Sequence, residues 1–158
     1  MSLTAEALEQ FVRRLAGTPE LWRDHVRASD DERVYALIWD DADVNAWVIC
    51  WTEDQDTGYH DHDRSAAAIT VIDGHVLEER LTLHGGPHGA VHGPGSTINL
   101  PATAIHRVLH AGEGPAVSIH AYSPPLTRTG AYRVTEDGCL EREPQSAEAE
   151  LRPQPAGV

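Results

Sequence analysis

The stretch that decides the fold runs from Ala66 to Leu83 and reads AAAITVIDGHVLEERLTL. Its first half is a run of small and β-branched residues that ends at Ile72, and a second apolar-rich run begins at His75. Asp73-Gly74 separates the two runs, and an Asp-Gly pair between such segments is a strong signal for a tight turn. Residues 71–76 are therefore predicted to form a β-hairpin.

Five further short segments have the same strand-like character on either side of this stretch: residues 34–39, 46–51, 96–100, 104–110 and 116–122. Turn-forming residues separate them, among them Asp40-Asp41, the glycines from Gly85 to Gly95, and Gly112 to Pro115. Short strands that follow one another without helices favour an all-β barrel or sandwich over a parallel α/β sheet.

The two ends of the chain differ from this pattern. Near the N-terminus, apolar residues recur at helical spacing behind Thr4, which occupies an N-cap position, and Thr18-Pro19 is typical of the start of a second short helix. After about Glu143 the chain is polar and rich in Pro and Ala, a composition typical of disorder. The predicted organisation is N-terminal helices over 1–30 packed on a barrel over 31–141, with a disordered tail over 142–158.

Composition excludes several classes of protein. The 158 residues favour one domain, and 12 basic against 25 acidic residues give a net charge of −13. That charge argues against a nucleic-acid-binding face or a polybasic membrane anchor, and no apolar run approaches the roughly 18 residues of a transmembrane helix. Two cysteines make no disulfide framework, and the first ten residues do not have the pattern of a signal peptide. We therefore expect a cytoplasmic protein that binds neither nucleic acid nor membrane.

Ten histidines are the unusual part of the composition, and three of them stand in a suggestive order. His60 and His62 form a His-x-His pair, and on a strand residues two apart project from the same face. By itself the pair fits two solvated histidines at a strand edge equally well. A third histidine, His106, follows Pro101 further along the chain.

This order resembles the two sequence motifs of the cupin superfamily. The first motif runs from Gly58 through His60-x-His62 to Gly74, and the second from Gly95 through Pro101 to His106. The resemblance implies a small antiparallel cupin barrel of the jelly-roll type, in which His60, His62 and His106 hold one metal ion. The glutamate that cupins usually supply after the second histidine is absent from residues 63–68. Ligand type alone leaves Fe, Zn, Cu and Ni open for such a site.

A second group of polar residues lies on an otherwise apolar segment. Ser118, His120 and Tyr122 alternate with apolar residues, so their side chains should share one face of a strand. Buried hydroxyl and imidazole groups need hydrogen-bonding partners. The three residues are predicted to form either a structural network or a relay that orients the Tyr122 hydroxyl.

The segment SIHAYSPPL, residues 118–126, resembles a characteristic segment of the cysteine dioxygenase family, a branch of the cupins. The family also has a Cys-Trp pair at the end of the strand before the metal pair, as Cys50-Trp51 stands here. The resemblance covers residues 33–126 and implies an Fe(II)-dependent dioxygenase that adds O2 to a small thiol to give a sulfinic acid. It further implies that Ser118 and His120 orient Tyr122, that the Tyr122 hydroxyl bonds oxygen or substrate, and that Ser123-Pro124 is a cis peptide.

The sequence departs from the family at two positions. Where mammalian members have a cysteine cross-linked to the tyrosine, Ala67 stands here, which implies an unmodified Tyr122. The arginine with which the family anchors the substrate carboxylate aligns with Leu37. Arg33, Arg64 and Arg107 are candidate replacements, each expected to face solvent. A thiol without a carboxylate, or a larger sulfur metabolite with another anchor, therefore fits as well as cysteine.

Two other functions compete with the thiol dioxygenase. One is a cupin with Zn, Ni or Mn that catalyses a different small-molecule reaction, and the other is a cupin that binds a metabolite without catalysis. The remaining histidines, including His84, His88 and His92 in a Gly/Pro-rich hairpin loop, are expected to be incidental to the site.

Overall fold

The computed structural model describes residues 1–151, which form eleven strands and two α-helices. The helices are α1 (Ala5–Ala16) and α2 (Ala147–Leu151), and 3₁₀ turns lie at Pro19–Leu21 and Arg23–His25. The strands are β1 (Val34–Asp40), β2 (Asn45–Trp51), β3 (His60–Asp61), β4 (Ala66–Asp73), β5 (His75–Arg80), β6 (His88–His92), β7 (Thr97–Leu100), β8 (His106–Ala111), β9 (Ala116–Ser123), β10 (Arg128–Val134) and β11 (Leu140–Ser146). Among these residues no helix is long and apolar enough to cross a bilayer.

The strands form two antiparallel sheets. Sheet A has the order β1-β2-β9-β4-β7, and sheet B has the order β11-β10-β3-β8-β5-β6. Side chains from both sheets meet in one apolar cluster, so the sheets face each other as the two layers of a jelly roll. Within residues 1–151 no strand of one sheet pairs with a strand of the other, so the barrel is open at its corners. The prediction of an all-β cupin fold of the jelly-roll type is confirmed.

Strand β2 is buried along its whole length because both faces of sheet A are covered. Trp47, Ile49 and Trp51 point into the space between the sheets, whereas Ala46, Val48 and Cys50 point outward. The outward face packs against the apolar stripe of α1, which includes Leu8, Val12 and Leu15. This double burial accounts for the continuous apolar run of residues 46–51, which a strand with one solvated face would not need.

The N-terminal segment contains one regular helix rather than two. Thr4 caps α1 as predicted, since its Oγ1 accepts a hydrogen bond from the Ala7 N–H at 3.2 Å. Thr18 does not cap a second helix, because its hydroxyl donates to the Arg14 carbonyl at 2.8 Å instead. The Trp22 indole N–H donates to the Leu15 carbonyl at 3.0 Å. The segment therefore folds back onto α1 in two 3₁₀ turns.

The predicted hairpin over residues 71–76 is wrong. Gly74 adopts a φ of +67° and leads the chain from β4 in sheet A to β5 in sheet B, and these two strands do not pair. A Cβ on Gly74 would lie 2.7 Å from Cα of Ala116 and closer still to the Pro115 carbonyl oxygen. The Asp-Gly pair thus lies at a corner between two sheets. A hairpin turn and such a corner both need a residue in the left-handed conformation, so the two give the same sequence signal.

Two other segments are more ordered than their composition indicates. The Gly/Pro-rich segment after β5 contains strand β6, which carries His88 and His92 and pairs with β5 as the outer strand of sheet B. The predicted tail begins inside β11, which runs on to Ser146 and pairs with β10 along its whole length. Helix α2 follows, and its Leu151 is buried in the cluster between the sheets. Ala147 packs against the same cluster, and two apolar residues in an otherwise polar segment are too few for its composition to reveal. Residues 152–158 of the predicted tail lie outside the described residues.

Gly74→Ala is expected to destabilise the protein by more than about 2 kcal/mol, because it adds a steric clash to the cost of a left-handed alanine. Gly114→Ala is the matched control: Gly114 has a φ of +74°, and a Cβ there would meet nothing within 4 Å. It should cost only the conformational term, about 1–2 kcal/mol. Urea unfolding of both variants measures the difference, and equal losses would contradict a close-packed corner at Gly74.

Candidate metal centre

The jelly roll brings together the three histidines that the sequence singles out. His60 lies on β3, His62 follows directly after it, and His106 begins β8. β3 pairs with β8 so that His60 stands opposite His106. All three side chains are buried, and their ligating nitrogen atoms lie within 4.8 Å of one another. The three-histidine cluster is therefore a group that could hold a metal ion.

The spacing of the nitrogen atoms suits a single ion. Nε2 of His62 lies 3.2 Å from Nε2 of His60 and 3.4 Å from Nε2 of His106. A metal about 2.1 Å from each nitrogen, with ligand angles of about 90–110°, would place neighbouring nitrogens about 3.0–3.4 Å apart. The two separations from His62 Nε2 agree with these values, so these imidazoles are spaced as one shared metal ion would require.

The contacts behind the rings fix which nitrogen carries the proton. His60 Nδ1 donates to the Gly58 carbonyl at 2.9 Å, since a carbonyl oxygen only accepts. His106 Nδ1 donates to Oε1 of Glu78 at 3.2 Å. In the neutral imidazoles this leaves lone pairs on Nε2 of both residues, and both are directed at the same space. His62 Nε2 can offer at most one hydrogen to the two of them, whereas a cation satisfies all three nitrogens.

Glu78, which the sequence analysis did not single out, lies directly behind one of the three candidate ligands, His106. Its side chain is only 4% exposed, and its carboxylate also accepts from Arg80 Nε at 2.8 Å. A carboxylate behind a metal-binding imidazole holds the ring in place and raises its basicity. The cupin motif predicts a carboxylate that binds the metal directly, whereas the Glu78 carboxylate contacts His106 on the side away from the cluster. The one available signal was the alternation on β5, where Val76 and Glu78 share a face.

The residue between the two paired histidines is held from the other side of the sheet. Asp61 accepts from Arg142 Nε at 2.7 Å, from Arg142 Nη2 at 2.9 Å and from the Tyr132 hydroxyl at 2.6 Å. Burial alone would raise the pKa of Asp61, but these hydrogen bonds to Arg142 and Tyr132 hold it well below its ordinary value. Gly130 makes room for the guanidinium, because a Cβ there would lie 2.5 Å from Arg142 Cζ. The strands β10 and β11 thus fix the backbone that carries His60 and His62.

The structure brings Ser118, His120 and Tyr122 onto one face of β9, in the buried space between the sheets. Ser118 Oγ lies 2.9 Å from His120 Nε2, and the Tyr122 hydroxyl lies 3.4 Å from His120 Nδ1. The Trp51 indole N–H donates to Ser118 Oγ at 2.9 Å. The Tyr122 ring reaches the metal cluster, with its centroid 4.9 Å from that of His62.

These contacts give the chain of hydrogen bonds a direction. Ser118 accepts from Trp51, which can only donate, and its own buried hydrogen needs an acceptor, for which His120 Nε2 is in reach. Neutral His120 then carries its proton on Nδ1, which faces the Tyr122 oxygen. The Tyr122 hydroxyl hydrogen is therefore directed away from His120. The same arrangement would also serve as a purely structural network.

The arginines proposed as substrate anchors occupy three different environments. Arg33, expected to face solvent, is 2% exposed; its guanidinium lies over the Trp51 ring and donates to the Asp56 carbonyl. Arg107 is half-buried and forms an ion pair with Glu79. Arg64 is exposed. Leu37, at the position of the family's arginine, pairs with Trp47, whose ring contacts Tyr122, and the Leu37 side chain itself is exposed.

The other histidines lie apart from the centre. Within residues 1–151, His60, His62 and His106 form the one group of His, Cys, Asp or Glu side chains arranged to hold a metal. His84 and His88 are exposed, His92 is half-buried on the edge strand β6, and His110 contacts the Gly114 carbonyl. The Ser123-Pro124 bond is cis, as the resemblance implied.

Comparison with known proteins points to one family. The family described as cysteine dioxygenase type I matches residues 3–135 of this chain. That stretch contains α1, the three-histidine cluster and the Ser118–Tyr122 face. No curated protein matches the sequence.

Solved structures with a similar fold come from several bacteria. A Thermus thermophilus protein is 17% identical over 65% of this chain and 93% of its own, with a TM-score of 0.57. A Klebsiella pneumoniae protein with a double-stranded β-helix domain is 18% identical over 65% of this chain and 80% of its own, also with a TM-score of 0.57. A cupin superfamily protein of Desulfitobacterium hafniense is 11% identical over 65% and 87%, with a TM-score of 0.54. At these identities the likeness concerns the fold alone.

Glu78→Gln is expected to weaken metal binding by about 10-fold or more, because His106 loses its carboxylate partner. Glu79→Gln is the matched control: it removes the same charge from the next residue of β5, whose carboxylate pairs with Arg107 and Tyr59. Competition between each variant and a chromophoric chelator for Zn²⁺ or Co²⁺ measures the affinities. Equal affinities of the two variants would exclude a supporting role for Glu78.

Arg142→Leu is expected to lower the free energy of unfolding by about 2–3 kcal/mol, because it leaves the buried Asp61 carboxylate without two charged hydrogen bonds. Arg133→Leu is the control on the neighbouring strand, since its ion pair with Glu141 is exposed and should contribute less than about 1 kcal/mol. Gly130→Ala, which displaces the Arg142 guanidinium without changing any charge, should destabilise as well. Chemical denaturation distinguishes the three variants, and a small loss for both Arg142→Leu and Gly130→Ala would contradict the role of this contact.

Proposed function

The chain belongs to the cysteine dioxygenase type I family, and on that basis we propose that it is an Fe(II)-dependent thiol dioxygenase. The proposed reaction joins one thiol and one O2 molecule to give one sulfinic acid, so that both oxygen atoms are added to sulfur and no further reductant is needed. The observation that carries the proposal is the convergence of three buried imidazole nitrogens beneath the Tyr122 ring.

The residues fit the proposed cofactor. His60, His62 and His106 would hold Fe(II), and three neutral imidazoles suit a divalent first-row metal. When bound, the iron supplies open coordination positions at which a thiolate and O2 can be held next to each other. The protein contributes a rigid set of ligands: Gly58 and Glu78 hold two of the rings from behind.

Tyr122 is proposed to act on the reacting groups. Its ring is fully buried against His62, and the direction of the relay turns its hydroxyl hydrogen away from His120. In that orientation Tyr122 donates a hydrogen bond to oxygen or to the substrate. His120 and Ser118 are proposed as positioning residues, because they touch Tyr122 and each other rather than the reacting atoms.

The candidate metal ligands and Tyr122 are buried, and this burial favours the proposed reaction over side reactions with water. The three histidines and Tyr122 are all at most 3% exposed. A site closed to bulk water strengthens the hydrogen bonds and charges within it and protects reactive oxygen species from side reactions.

A cytoplasmic location is proposed on the state of the cysteines. Cys50 and Cys139 are both free thiols, and Cys50 is buried beneath α1. Unpaired cysteines suit a reducing compartment, in which a small thiol substrate also stays reduced.

Reconstitution with Fe(II) under anaerobic conditions, followed by addition of O2, tests the reaction. The expected result is thiol-dependent O2 uptake, with the sulfinic acid detected by mass spectrometry, for at least one of cysteine, cysteamine and a set of mercapto-acids. His106→Ala should lose both bound iron and O2 uptake, whereas His25→Ala, on an exposed 3₁₀ turn, should keep both. Iron binding without thiol-dependent uptake would favour a cupin with another reaction, and full metal content in His106→Ala would contradict the ligand set.

Tyr122→Phe is expected to lower kcat/KM by about 10–100-fold while leaving iron content unchanged, because it removes one hydrogen bond to a charged or reacting group. Tyr59→Phe removes a hydroxyl that bonds Glu79 on sheet B and serves as the control. Ser118→Ala should lower kcat less than Tyr122→Phe does, since it acts through His120. Steady-state O2 uptake on the iron-loaded variants gives these values, and unchanged kinetics in Tyr122→Phe would remove Tyr122 from the mechanism.

A further inference from the structure

The C-terminal hairpin and helix continue beyond the part of the chain that matches the family. The match ends at residue 135, whereas β11 runs to Ser146 and α2 ends at Leu151. Strand β11 pairs with β10 along its whole length and forms one edge of sheet B. A contribution of α2 to the site is therefore a property of this chain and not one that the family match implies.

The strand register places the start of α2 near the candidate metal ligands. Ser146 pairs with Arg128 at the beginning of β10. Two residues further along β10, Gly130 pairs with Asp61, which is the residue between the two paired histidines. An α-helix rises about 1.5 Å per residue, so Leu151 lies only about 7–8 Å along the helix from Ser146. The helix is therefore short enough to stay beside the segment that carries these ligands.

The same end of the jelly roll holds Tyr122. Asn45 pairs with Tyr122 across sheet A. The Asn45 side chain bonds the backbone of Leu126 twice: it donates to the carbonyl at 3.1 Å and accepts from the N–H at 2.8 Å. Leu126 is followed two residues later by the start of β10, and α2 packs against β10 and β11. The connection from β9 to β10 therefore leads from Tyr122 to the strand that supports α2.

Leu151 enters the space between the sheets from this end. Its side chain is 1% exposed and belongs to the apolar cluster that also contains Trp47, Tyr122 and Leu126. Ala147, four residues earlier and on the same face of α2, packs against this cluster as well. The Tyr122 ring also contacts one of the candidate ligands, with the two ring centroids 4.9 Å apart. A side chain from outside the family match thus shares a buried space with Tyr122, beside the candidate metal centre.

We infer that Leu151 ends the substrate space, by which we mean the buried space between the sheets next to Tyr122, and so limits the length of the thiol. This inference rests on the proposed function, in which the sulfur is held at the three histidines and the rest of the thiol extends away from them. Protein interiors are close-packed, so a fixed leucine at the far end admits a short chain and excludes a longer one. The substrate is accordingly a short thiol, and Leu151 is a residue that determines specificity.

Three thiols that differ only in length test this role on the iron-loaded protein: 2-mercaptoethanol, 3-mercaptopropan-1-ol and 4-mercaptobutan-1-ol. Leu151→Ala should raise kcat/KM for the longest thiol relative to the shortest by about 10-fold, the discrimination that one or two methylene groups produce in an apolar pocket, and Leu151→Phe should lower the same ratio. Leu140→Ala is the matched control, because Leu140 lies on the same hairpin and is 48% exposed. It should leave the ratio unchanged within about twofold. A purely structural role of Leu151 would lower the rate with every thiol equally and would not move the ratio.

Thiol binding without turnover separates the role of Leu151 from the reaction. Co²⁺-substituted protein is titrated with the same thiols in the absence of O2, and the thiolate-to-cobalt charge-transfer absorption gives their dissociation constants. A shift of preference toward the longer thiol in Leu151→Ala supports the inference even where no thiol is oxidised, in which case only the proposed dioxygenase fails. O2 uptake with unchanged ratios of kcat/KM and of dissociation constants in both Leu151 variants would overturn the inference and leave the dioxygenase intact. If Leu151→Ala does not fold, Leu151→Phe, which keeps an apolar side chain in the cluster, decides alone.

Discussion

Three buried imidazole nitrogens converge on one point, where a single hydrogen on His62 Nε2 can satisfy only one of the other two and a cation would satisfy all three. Nε2 of His62 lies 3.2 Å and 3.4 Å from those of its two neighbours, and the rings cannot turn away because their opposite nitrogens are bonded to Gly58 and Glu78. The free energy that holds this arrangement comes from the fold rather than from the ligands themselves. The strand pairing that places His60 opposite His106, and the contacts that fix Asp61, hold the imidazoles in the arrangement that a metal ion would need.

Sheet A can carry a polar network next to the candidate metal site because its two faces contact different surroundings. On β9, one face carries Val117, Ile119 and Ala121 against α1, and the other carries Ser118, His120 and Tyr122 toward the centre. Burial of the apolar face stabilises the strand, so the polar side chains on the other face do not have to contribute to its stability. A polar network inside a protein is tolerated where each member has a partner, and Trp51 supplies the donor that begins this one.

Much of this site could be predicted from the sequence, because period-two alternation fixes which side chains share a face. His60 and His62, and likewise Ser118, His120 and Tyr122, each lie within five residues, where local geometry decides the outcome. Glu78, Arg33 and Arg142 could not be placed, since their roles depend on partners 28, 23 and 81 residues away, and the pairing of distant strands is not written in any short segment. The hairpin predicted at Asp73-Gly74 failed for a related reason: a turn and a sheet corner need the same backbone conformation, and only the neighbouring strands distinguish them.

The contact between Arg142 and Asp61 spans 81 residues. It joins β11, the last strand in the sequence, to the residue between the candidate ligands His60 and His62. During synthesis the three histidines leave the ribosome long before Arg142 does. The segment that carries the paired histidines therefore gains the charge that compensates Asp61 only when β11 has paired with β10, so the C-terminal strand completes the support of a site whose other parts come from earlier in the chain.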